Sequence, residues 1–514
     1  MNTKQLLIFA IALIFVLSAS AQPGTLDSDF DADGKLIIGF ETGSYEEILD
    51  IAIQPDGKIV VVGYSLNSSA YSFALMRFNP DGSLDNTFGT GGKVLTNYGP
   101  YHDDLIAVEL QPDGKIVCCG TTGTDVDDPY DCDIVILRYN SNGTPDATFN
   151  STGAVQVAIG TYNNNATDIA VQSDGKIVVA GYSYITDYMF VLLRFNTDGT
   201  PDMTFSYDGQ VATDIGVSSD YAKALAIQPD GKIVVAGYSD NTDYDVSLVR
   251  YNADGTLDTS FDTDGKKTIS TGSNDDVCYS VCVRADGKII IGGTTGLTDV
   301  NDFLLIQLND DGSTDTGFSY DGVVITDCGS ANDVAYSVCL QPDNKIVMAG
   351  TSGESSNRDF TLVRYNEDGT LDLNFNGTGK VTTPIGSLSD YIFSMAIQPD
   401  GRILVGGMSI NSTDYDFALA RYISGLNMGV EDTENTTSAI QIFPNPATTF
   451  IEVNLLYSEN EIPLAIFNAY GQNISEQIVS GNKARIDVSK LPPGVYYIQV
   501  AGGRNTGAKG FLKE

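Results

Sequence analysis

The segment Gln228-Pro229-Asp230-Gly231-Lys232-Ile233-Val234 decides the fold, because related segments occur six more times along the chain. The seven copies begin at Gln54, Gln111, Gln172, Gln228, Arg284, Gln341 and Gln398, at intervals of 56 to 61 residues. A fixed period above about 50 residues with short β-rich segments indicates stacked repeats, and β-propellers are the first candidate. In each turn, proline presets φ, aspartate bonds its own backbone and glycine adopts a positive φ.

Each repeat contains four strand-like segments that are rich in Val, Ile, Tyr and Phe and are separated by Gly or Asp-Gly. In the fourth copy they are Gln210–Ile215, Ala222–Gln228, Lys232–Ser239 and Asp245–Asn252. We therefore predict an all-β protein with a seven-bladed propeller of four-stranded blades over residues 22–423. The pattern leaves open which strand closes the ring. If blades begin at the second segment, residues 35–40 complete the last blade beside residues 416–423.

A second turn with the pattern Asn-x-Asp-Gly-Ser/Thr-x-Asp follows the fourth strand-like segment, as in Asn252–Asp258. Its oxygen-rich spacing is similar to the start of a calcium-binding loop. However, the bidentate Glu that an EF-hand places at position 12 is missing. We favour turn chemistry, because Asp and Ser/Thr side chains bond local backbone groups.

The combination of Leu257-Asp258-Thr259-Ser260-Phe261 with Gln228–Gly237 and Leu248–Gly255 resembles the delta-60 repeat. This family is a β-propeller module of unknown function, and the resemblance recurs in all seven copies. It implies the propeller fold, and it brings no catalytic residue to this sequence.

The charge balance excludes several classes of function. The chain has 67 Asp and Glu against 28 Lys and Arg, a formal charge of −39, which argues against nucleic acid and anionic membrane surfaces as partners. The single histidine, His102, argues against Ser-His-Asp triads and multi-histidine metal sites. Of 21 Lys and Arg in residues 22–423, 17 occupy repeated positions, and Lys223, Lys267, Arg284 and Arg358 remain. We therefore expect no basic site for phosphate or carboxylate substrates.

The connections of an up-and-down blade alternate between two faces of the ring. One face carries the two repeated turns. The other carries loops of variable length, and variable loops on a rigid scaffold are where binding usually occurs. Acidic residues recur on the variable face at the start of the second strand-like segment, at Glu46, Asp103, Asp220, Asp276, Asp333 and Asp390, with Asn164 in the third copy. They form either a cation-binding rim or caps within each repeat, and we favour caps.

One acidic loop breaks the repeat. Asp125, Asp127, Asp128 and Asp131 occur together in the second copy and in no other. Because Ca²⁺ prefers carboxylate oxygens, we predict a calcium-binding loop here. Calcium is the only cofactor we consider, and none is required.

The N-terminus predicts export. Lys4 precedes an apolar segment over residues 6–17, and Ala19 and Ala21 form an A-x-A site before Gln22. This pattern is typical of a signal peptide comprising residues 1–21. No later segment is long and apolar enough for a transmembrane helix.

The seven cysteines do not indicate a disulfide framework, because their number is odd. The pairing to test is Cys132 with Cys118 or Cys119, since these lie on neighbouring strands.

The composition changes after Tyr422. Residues 424–439 are a polar linker, and residues 440–514 contain alternating apolar segments that predict a small Ig-like β-sandwich. This segment resembles the type A sorting domain of the type IX secretion system. The matching residues are Pro444, Asn445, Pro446, Gly471, Gly494, Lys509 and Lys513. The resemblance implies passage through the type IX machinery, removal of the domain by a sorting peptidase, and a secreted or outer cell-surface protein.

We therefore expect an exported, non-enzymatic protein whose propeller binds a polysaccharide or a surface protein, as a ligand-binding or adhesion module. The alternative is an extracellular polysaccharide hydrolase or lyase that uses Asp and Glu of the variable face. Fold analogy alone is weak support for that chemistry. A third possibility is a structural protein that provides adhesion or spacing without a specific ligand.

Overall fold

The computed structural model describes residues 22–40, 43–67, 70–99, 102–123, 131–160, 162–272, 274–297, 300–329, 332–354, 356–411, 414–426, 440–443, 447–468, 473–492, 494–500 and 507–513. Within these ranges the chain forms strands and no helix, which confirms the all-β prediction. The described residues accordingly include no helix of the length and apolar character needed to cross a membrane. The predicted cleavage residues Ala19 and Ala21 lie outside the described residues, and Gln22 is the first residue described.

Twenty-eight strands of the described chain form seven antiparallel blades of four strands each. In chain order they are β1 (Lys35–Ile38), β2 (Tyr45–Ile53), β3 (Ile59–Asn67), β4 (Ala70–Phe78), β5 (Lys93–Thr96), β6 (Asp103–Leu110), β7 (Ile116–Gly123), β8 (Cys132–Tyr139), β9 (Ala154–Val157), β10 (Tyr162–Val171), β11 (Ile177–Tyr184), β12 (Tyr188–Phe195), β13 (Gln210–Thr213) and β14 (Asp220–Ile227). They continue with β15 (Ile233–Asp240), β16 (Tyr244–Tyr251), β17 (Lys266–Ile269), β18 (Asp275–Val283), β19 (Ile289–Leu297), β20 (Val300–Leu308), β21 (Val323–Thr326), β22 (Asp333–Leu340), β23 (Ile346–Glu354), β24 (Asn357–Tyr365), β25 (Lys380–Thr383), β26 (Asp390–Ile397), β27 (Ile403–Ile410) and β28 (Tyr415–Tyr422).

The blades form a closed ring. Blade 1 is β2 to β5, blade 2 is β6 to β9, blade 3 is β10 to β13, blade 4 is β14 to β17, blade 5 is β18 to β21 and blade 6 is β22 to β25. Blade 7 is β26, β27, β28 and β1. The first strand of each blade contacts the first strand of the next, and β26 contacts β2, so these seven strands surround a central channel.

Closure of the ring depends on the N-terminal segment. Strand β1 pairs antiparallel with β28, with Lys35 opposite Ala420 and Ile38 opposite Phe417. The Asp27 backbone N–H also donates to the Arg421 carbonyl at 2.8 Å. Blades therefore begin at the second segment of each sequence repeat, which was one of the two possibilities that the sequence left open.

The hydrophobic core lies between neighbouring blades. The phenylalanine of each Leu-Asp-x-x-Phe segment or its equivalent is fully buried there, at Phe30, Phe88, Phe149, Phe205, Phe261, Phe318 and Phe375. Phe205 of blade 3 packs against Gly255 of blade 4, where an added Cβ would lie 3.0 Å from the ring and the backbone has a φ of +88°. Glycine is required at this turn because both the conformation and the close approach exclude a side chain.

A buried charged cluster also joins the blades. In blade 3 the Arg194 Nε donates to the Asp202 carboxylate at 2.7 Å, and the Lys176 Nζ lies 2.9 Å from the same oxygen. The Arg194 guanidinium also donates to the Ala253 carbonyl of blade 4. Equivalent arginines are Arg77, Arg138, Arg250, Arg364 and Arg421. The repeated cations are therefore structural, as the sequence predicted.

The C-terminal segment forms one sheet of five strands, which are β29 (Ile440–Phe443), β30 (Phe450–Asn468), β31 (Asn473–Asp487), β32 (Gly494–Val500) and β33 (Gly507–Lys513). Strand β30 is a single long strand of 19 residues. The first half of β30 pairs with β29 and the second half pairs with β32, while β31 pairs with both halves. Apolar residues of both halves share one core, which includes Ile451 and Ile466.

Candidate functional site

The two faces of the ring differ as the sequence predicted. The face with the two repeated turns, here called the turn face, uses its aspartates locally. Asp198 accepts hydrogen bonds from the Thr200 backbone N–H at 3.0 Å and from the Thr200 hydroxyl at 2.7 Å, and these bonds lower its pKa. Asp81, Asp254, Asp311 and Asp368 make the same bonds. These carboxylates stabilise turns.

The opposite face, here called the loop face, carries the periodic acids. Asp103 is fully buried and accepts hydrogen bonds from the Tyr98 backbone N–H at 2.8 Å and the Thr122 hydroxyl at 2.7 Å. The equivalent residues Glu46, Asn164, Asp220, Asp276, Asp333 and Asp390 are also buried and accept bonds from the preceding connection. They act as caps within their own repeats, which is the interpretation that the sequence favoured.

The predicted calcium loop is mostly outside the described residues. Asp125, Asp127 and Asp128 are not described, and Asp131 is. Calcium binding there stays a prediction. The described chain brings together a different group, in which carboxylate oxygens of Asp302, Asp327 and Asp333 lie within 4.8 Å of one another. That proximity alone does not define a cation site, because Asp333 also caps the connection before β22.

A cavity with a volume of about 760 Å³ opens at the loop-face end of the central channel. Each first strand has a break in its pairing register at the same place in the repeat, where one residue projects into the channel, and β10 has a second break between Tyr162 and Asn164. These seven residues are Leu49, Ile106, Thr167, Lys223, Tyr279, Tyr336 and Phe393, and all of them line the cavity. A β-bulge redirects one side chain in this way. We call this space the channel cavity.

Tyrosines of blades 3 and 4 form one wall of the channel cavity. The Tyr221 ring lies 5.2 Å from Tyr182 and 5.1 Å from both Tyr188 and Tyr238, measured between ring centroids. Tyr238 in turn lies 5.0 Å from Tyr244. These separations are typical of interacting aromatic rings, so the wall is a continuous aromatic surface.

Glu47 of blade 1 and Asp104 of blade 2 occupy equivalent positions on their first strands, ten residues before the turn glycine. Glu47 forms a hydrogen bond with the Tyr64 side chain, and burial raises its pKa. Burial, together with the nearby charges of Glu47 and Asp103, raises the pKa of Asp104 to about 7. The buried Asp104 Oδ1 has no hydrogen-bond partner among the described residues. Asp104 is therefore a carboxyl group that exchanges a proton near neutral pH.

Lys223 is the only lysine that lines the channel cavity among the described residues. Its Nζ lies 5.6 Å from the Tyr182 ring centroid and 5.7 Å from that of Tyr238, within cation–π range. Burial lowers its pKa. His102, the single histidine, also lines the cavity, with its ring 4.5 Å from that of Tyr71.

Deeper carboxylates in the channel connect blades. The Asp50 carboxylate accepts hydrogen bonds from the Val108 backbone N–H of blade 2 and from the Ser394 hydroxyl of blade 7, both at 2.8 Å. Asp168 accepts the Leu225 backbone N–H of blade 4 at 2.7 Å. Burial raises the pKa of Asp50 to about 6 and that of Asp168 to about 8. These bonds join neighbouring blades, so we regard both residues as structural.

The sequence pattern pointed to the variable loops as the functional site and did not predict the channel cavity. A signal was nevertheless present, because the bulge residue stands eight positions before the turn glycine, or before Asn344 in blade 6. That position varies among Leu, Ile, Thr, Lys, Tyr and Phe within a uniform repeat. Its direction into the channel depends on the bulge, which the sequence pattern did not reveal.

A second cavity, of about 440 Å³, lies on the turn face beside blade 5. Here Gln307 replaces the arginine of the charged cluster, and Arg284 replaces the glutamine of the turn. The Gln307 amide nitrogen donates to Asp315 at 2.7 Å, and Arg284 pairs with the Glu367 carboxylate. Gln307 is shorter than arginine, so the exchange leaves the cavity open.

The suggested disulfide is wrong. None of the seven cysteines, all of which lie in the described ranges, forms a disulfide, and Cys132 lies opposite Gly123 in the β7–β8 register. Cys118 and Cys119 lie opposite Leu137 and Ile136, five and four residues away from Cys132. The Cα atom of Cys132 is therefore about 13 to 17 Å from those of Cys119 and Cys118, far beyond the Cα distance that a disulfide allows.

Two family comparisons match most of this architecture. The family described as a domain of unknown function (DUF5122) beta-propeller matches residues 54–88, 111–149, 172–205, 228–261, 284–318, 341–375 and 398–423. The family described as a secretion system C-terminal sorting domain matches residues 441–514. The chain is a DUF5122 β-propeller protein with a C-terminal sorting domain.

The sorting domain makes this DUF5122 protein a type IX secretion substrate, so it interacts with that machinery and is secreted or located at the outer cell surface. Of the predicted sorting residues, Gly494 begins β32, and Lys509 and Lys513 lie in β33. Pro444, Asn445, Pro446 and Gly471 lie outside the described residues.

Solved structures similar to the DUF5122 protein include PorZ, a bacterial surface component of the type IX secretion system of Porphyromonas gingivalis. It is 11% identical, with a TM-score of 0.40, and the match covers 91% of this chain and 59% of PorZ. An ulvan lyase of a polysaccharide lyase family is 11% identical with a TM-score of 0.45, covering 76% and 96% of the two chains. A streptogramin B lyase is 11% identical with a TM-score of 0.44, covering 76% and 97%.

The chain thus spans about three fifths of the length of the PorZ chain. None of the curated proteins compared with this sequence matches it significantly. At these identities and scores the solved structures carry no argument about function.

Proposed function

We propose that the propeller is a non-enzymatic binding module that type IX secretion delivers to the cell exterior, and that it binds a glycan in the channel cavity. The observation that carries this proposal is the cavity of about 760 Å³, which seven bulge residues line at the loop face. Binding sites are concave, and most combine apolar or aromatic walls with a few placed polar groups.

The chemistry of the cavity wall supports a sugar as ligand. Tyr182, Tyr188 and Tyr221 present aromatic surface, while Asn163 and Asn165 add amide groups that both donate and accept hydrogen bonds. A sugar ring has apolar C–H faces and a rim of hydroxyls, so it requires both kinds of contact. Strands of blades 3 and 4 hold these side chains on rigid elements, which limits the entropy lost on binding.

Further tyrosines extend the aromatic surface beyond the cavity. Tyr162 is 56% exposed, Tyr184 is 38% exposed and Tyr244 is 37% exposed, all at the loop-face ends of strands in blades 3 and 4. Tyr184 lies 6.2 Å from Tyr162 and 5.3 Å from Tyr188. An extended aromatic surface of this kind suits a polymer that continues past the channel mouth.

A polysaccharide panel, read for both retention and release of reducing sugars, tests the proposal. We expect retention of at least one polysaccharide without release of sugar, and about tenfold weaker retention by Tyr221→Ala because it loses a stacking surface. Tyr320→Ala is the matched control, since Tyr320 is 96% exposed on the turn face. Failure of every glycan to bind, or equal losses in the two variants, would contradict the proposal.

A hydrolase or lyase is the second candidate, and Asp104 is the observation that favours it. A carboxyl group with a pKa of about 7 can act as a general acid near neutral pH, and Glu47 is close enough for its charge to raise that pKa. If the protein is an enzyme, the same panel will show sugar release, and Asp104→Asn will abolish release while retention remains. Retention without release favours the binding module.

A further inference from the structure

Four cations of the propeller occupy positions outside the repeated set, and the structure divides them into two pairs. Lys267 forms an ion pair with Asp262 at 3.1 Å, and Arg284 pairs with Glu367. Lys223 and Arg358 have no carboxylate within ion-pair distance among the described residues. In a chain with 67 acidic residues, two unpaired cations require an explanation.

The two unpaired cations occupy the same face of the ring. Lys223 lines the channel cavity from blade 4, between the Tyr182 and Tyr238 rings. Arg358 lies at the loop-face start of β24, with its Cζ 5.6 Å from the Tyr391 ring centroid. The Arg358 charge also acts on Tyr336, which lines the cavity. Both cations are therefore held against tyrosine rings around the channel mouth.

Partial burial without an acidic partner costs free energy, because each cation gives up hydration and gains only cation–π contact in return. The Arg358 Nε is buried and has no hydrogen-bond partner in the described chain. Anionic groups placed beside each of these side chains would supply acceptors. Charge-assisted hydrogen bonds of this kind are stronger than neutral ones.

We propose that Lys223 and Arg358 bind the carboxylates of an acidic glycan, in which uronate units lie across the tyrosines of the channel mouth. This inference rests on the proposed glycan-binding function and names its ligand class. It also reverses the expectation from sequence that no basic site for carboxylates remains, because the two cations are 135 residues apart in sequence and only the ring brings them to one face.

The acidic groups of the propeller do not prevent this binding. Asp104 lines the cavity and Glu47 lies close enough for its charge to act on Asp104, and burial raises the pKa of both, which favours their neutral forms. A neutral carboxyl group can donate a hydrogen bond to an anionic ligand. More distant acids are screened, because the Debye length is about 8 Å at physiological ionic strength.

The test compares acidic polysaccharides with their own methyl esters, which keep the backbone and lose the charge. Oligogalacturonate and other uronate oligomers are titrated into the mature full-length protein by calorimetry, each beside its ester. We expect the acid form to bind about tenfold more tightly than the ester, equivalent to one charge-assisted hydrogen bond. Lys223→Met and Arg358→Met should each remove most of this preference for the acid form.

Lys267→Met is the matched control, since Lys267 has an acidic partner away from the cavity. Thermal unfolding shows whether each variant is folded, and Lys223→Met should be at least as stable as the natural protein because it removes a desolvated charge. Equal binding of every acid and its ester, or unchanged acid binding in both cation variants, overturns the inference and leaves the glycan-binding proposal intact. Absence of binding to any glycan overturns the proposed function itself.

Discussion

Arg284 and Gln307 occupy each other's usual positions in the repeat. In the other six blades an arginine on the third strand donates to the carbonyl of the next blade, and in five of these it also donates to the turn glutamine, as Arg194 does to Gln172 at 3.5 Å. Blade 5 keeps the carboxylate of Asp315, which accepts a hydrogen bond from the Gln307 amide at 2.7 Å in place of arginine and lies 2.8 Å from the Lys288 Nζ. The two replacements compensate in part, since the blade retains the same number of charges.

We predict strong coupling between these two positions. Gln307→Arg alone adds a second guanidinium beside Arg284, and Arg284→Gln alone removes the ion pair with Glu367, so each should destabilise the protein. The double variant restores the arrangement of the other blades and should be at least as stable as the natural protein. Denaturant unfolding of the four proteins should give a coupling energy of about 1 kcal/mol or more. Additive single effects would contradict this prediction.

Asp104→Asn should change how stability depends on pH. The folded-state pKa of about 7 lies above the unfolded value of about 3.9, so the natural protein loses stability as pH rises from 4 to 7. The asparagine variant cannot ionise and should escape this loss. Above pH 7 it should be more stable than the natural protein by on the order of 2 kcal/mol, and near pH 4 the difference should vanish.

Thermal unfolding of both proteins across this pH range measures the difference. Asp85→Asn is the opposite control, because hydrogen bonds from Thr87 and Lys58 and the charge of Arg77 lower the Asp85 pKa despite its burial. Asp85 stabilises the fold above the unfolded pKa, and its contribution disappears as pH falls below that value. A constant offset between Asp104→Asn and the natural protein at all pH values would refute the assignment.

At the scale of elements, the bulge in each first strand distinguishes the residue that lines the channel cavity from the residues that pair within the blade. Residues before and after the bulge pair regularly with the second strand, as Ala222 does with Gly237 and Ala224 with Ala236. The bulge residue itself leaves the ladder and points into the channel. The repeat can therefore vary this side chain without disturbing blade packing, and that variation gives the channel cavity Tyr279, Tyr336 and Lys223.

Strand β1 should control the stability of blade 7. Deletion of residues 22–38 removes the fourth strand of this blade and also Asp27, whose carboxylate accepts a hydrogen bond from the Arg421 Nε at 2.7 Å. We expect lower thermal stability and faster hydrogen exchange of β28 amides, with little change in β16 of blade 4. Asp27→Asn keeps the strand and removes only the ion pair, so it should give a smaller loss of stability and leave β28 protected. Unchanged protection of the β28 amides from hydrogen exchange in the deletion variant would contradict the prediction that β1 closes the ring.

At the scale of the whole molecule, the sorting domain and the proposed binding site lie in different segments. The propeller carries the channel cavity, and the C-terminal sheet carries the family match for secretion. Strand β33 is an edge strand of that sheet, and Phe511 within it is buried, with its ring 5.7 Å from that of Tyr496. The end of the chain is thus part of the folded tail.

Deletion of residues 509–514 should leave the protein in the periplasm, because it removes most of β33 and the two terminal lysines of the sorting signal. Immunoblots of medium, outer membrane and periplasm measure the distribution. Lys483→Ala, an exposed substitution on β31, is the control and should leave secretion unchanged. Protease resistance of the retained propeller shows that it has folded. Normal levels of the truncated protein in the medium would disprove the prediction.

The sequence by itself determined the number of blades, the turn chemistry, the structural cations and the sorting tail. These features depend on local spacing, which the period of the repeat displays directly. The tertiary structure decided the closure by β1, the absence of the Cys132 disulfide, the channel cavity and the placement of Lys223 and Arg358 on one face of the ring. Each of these depends on register, on a bulge or on ring closure, which bring together residues that lie far apart in the chain.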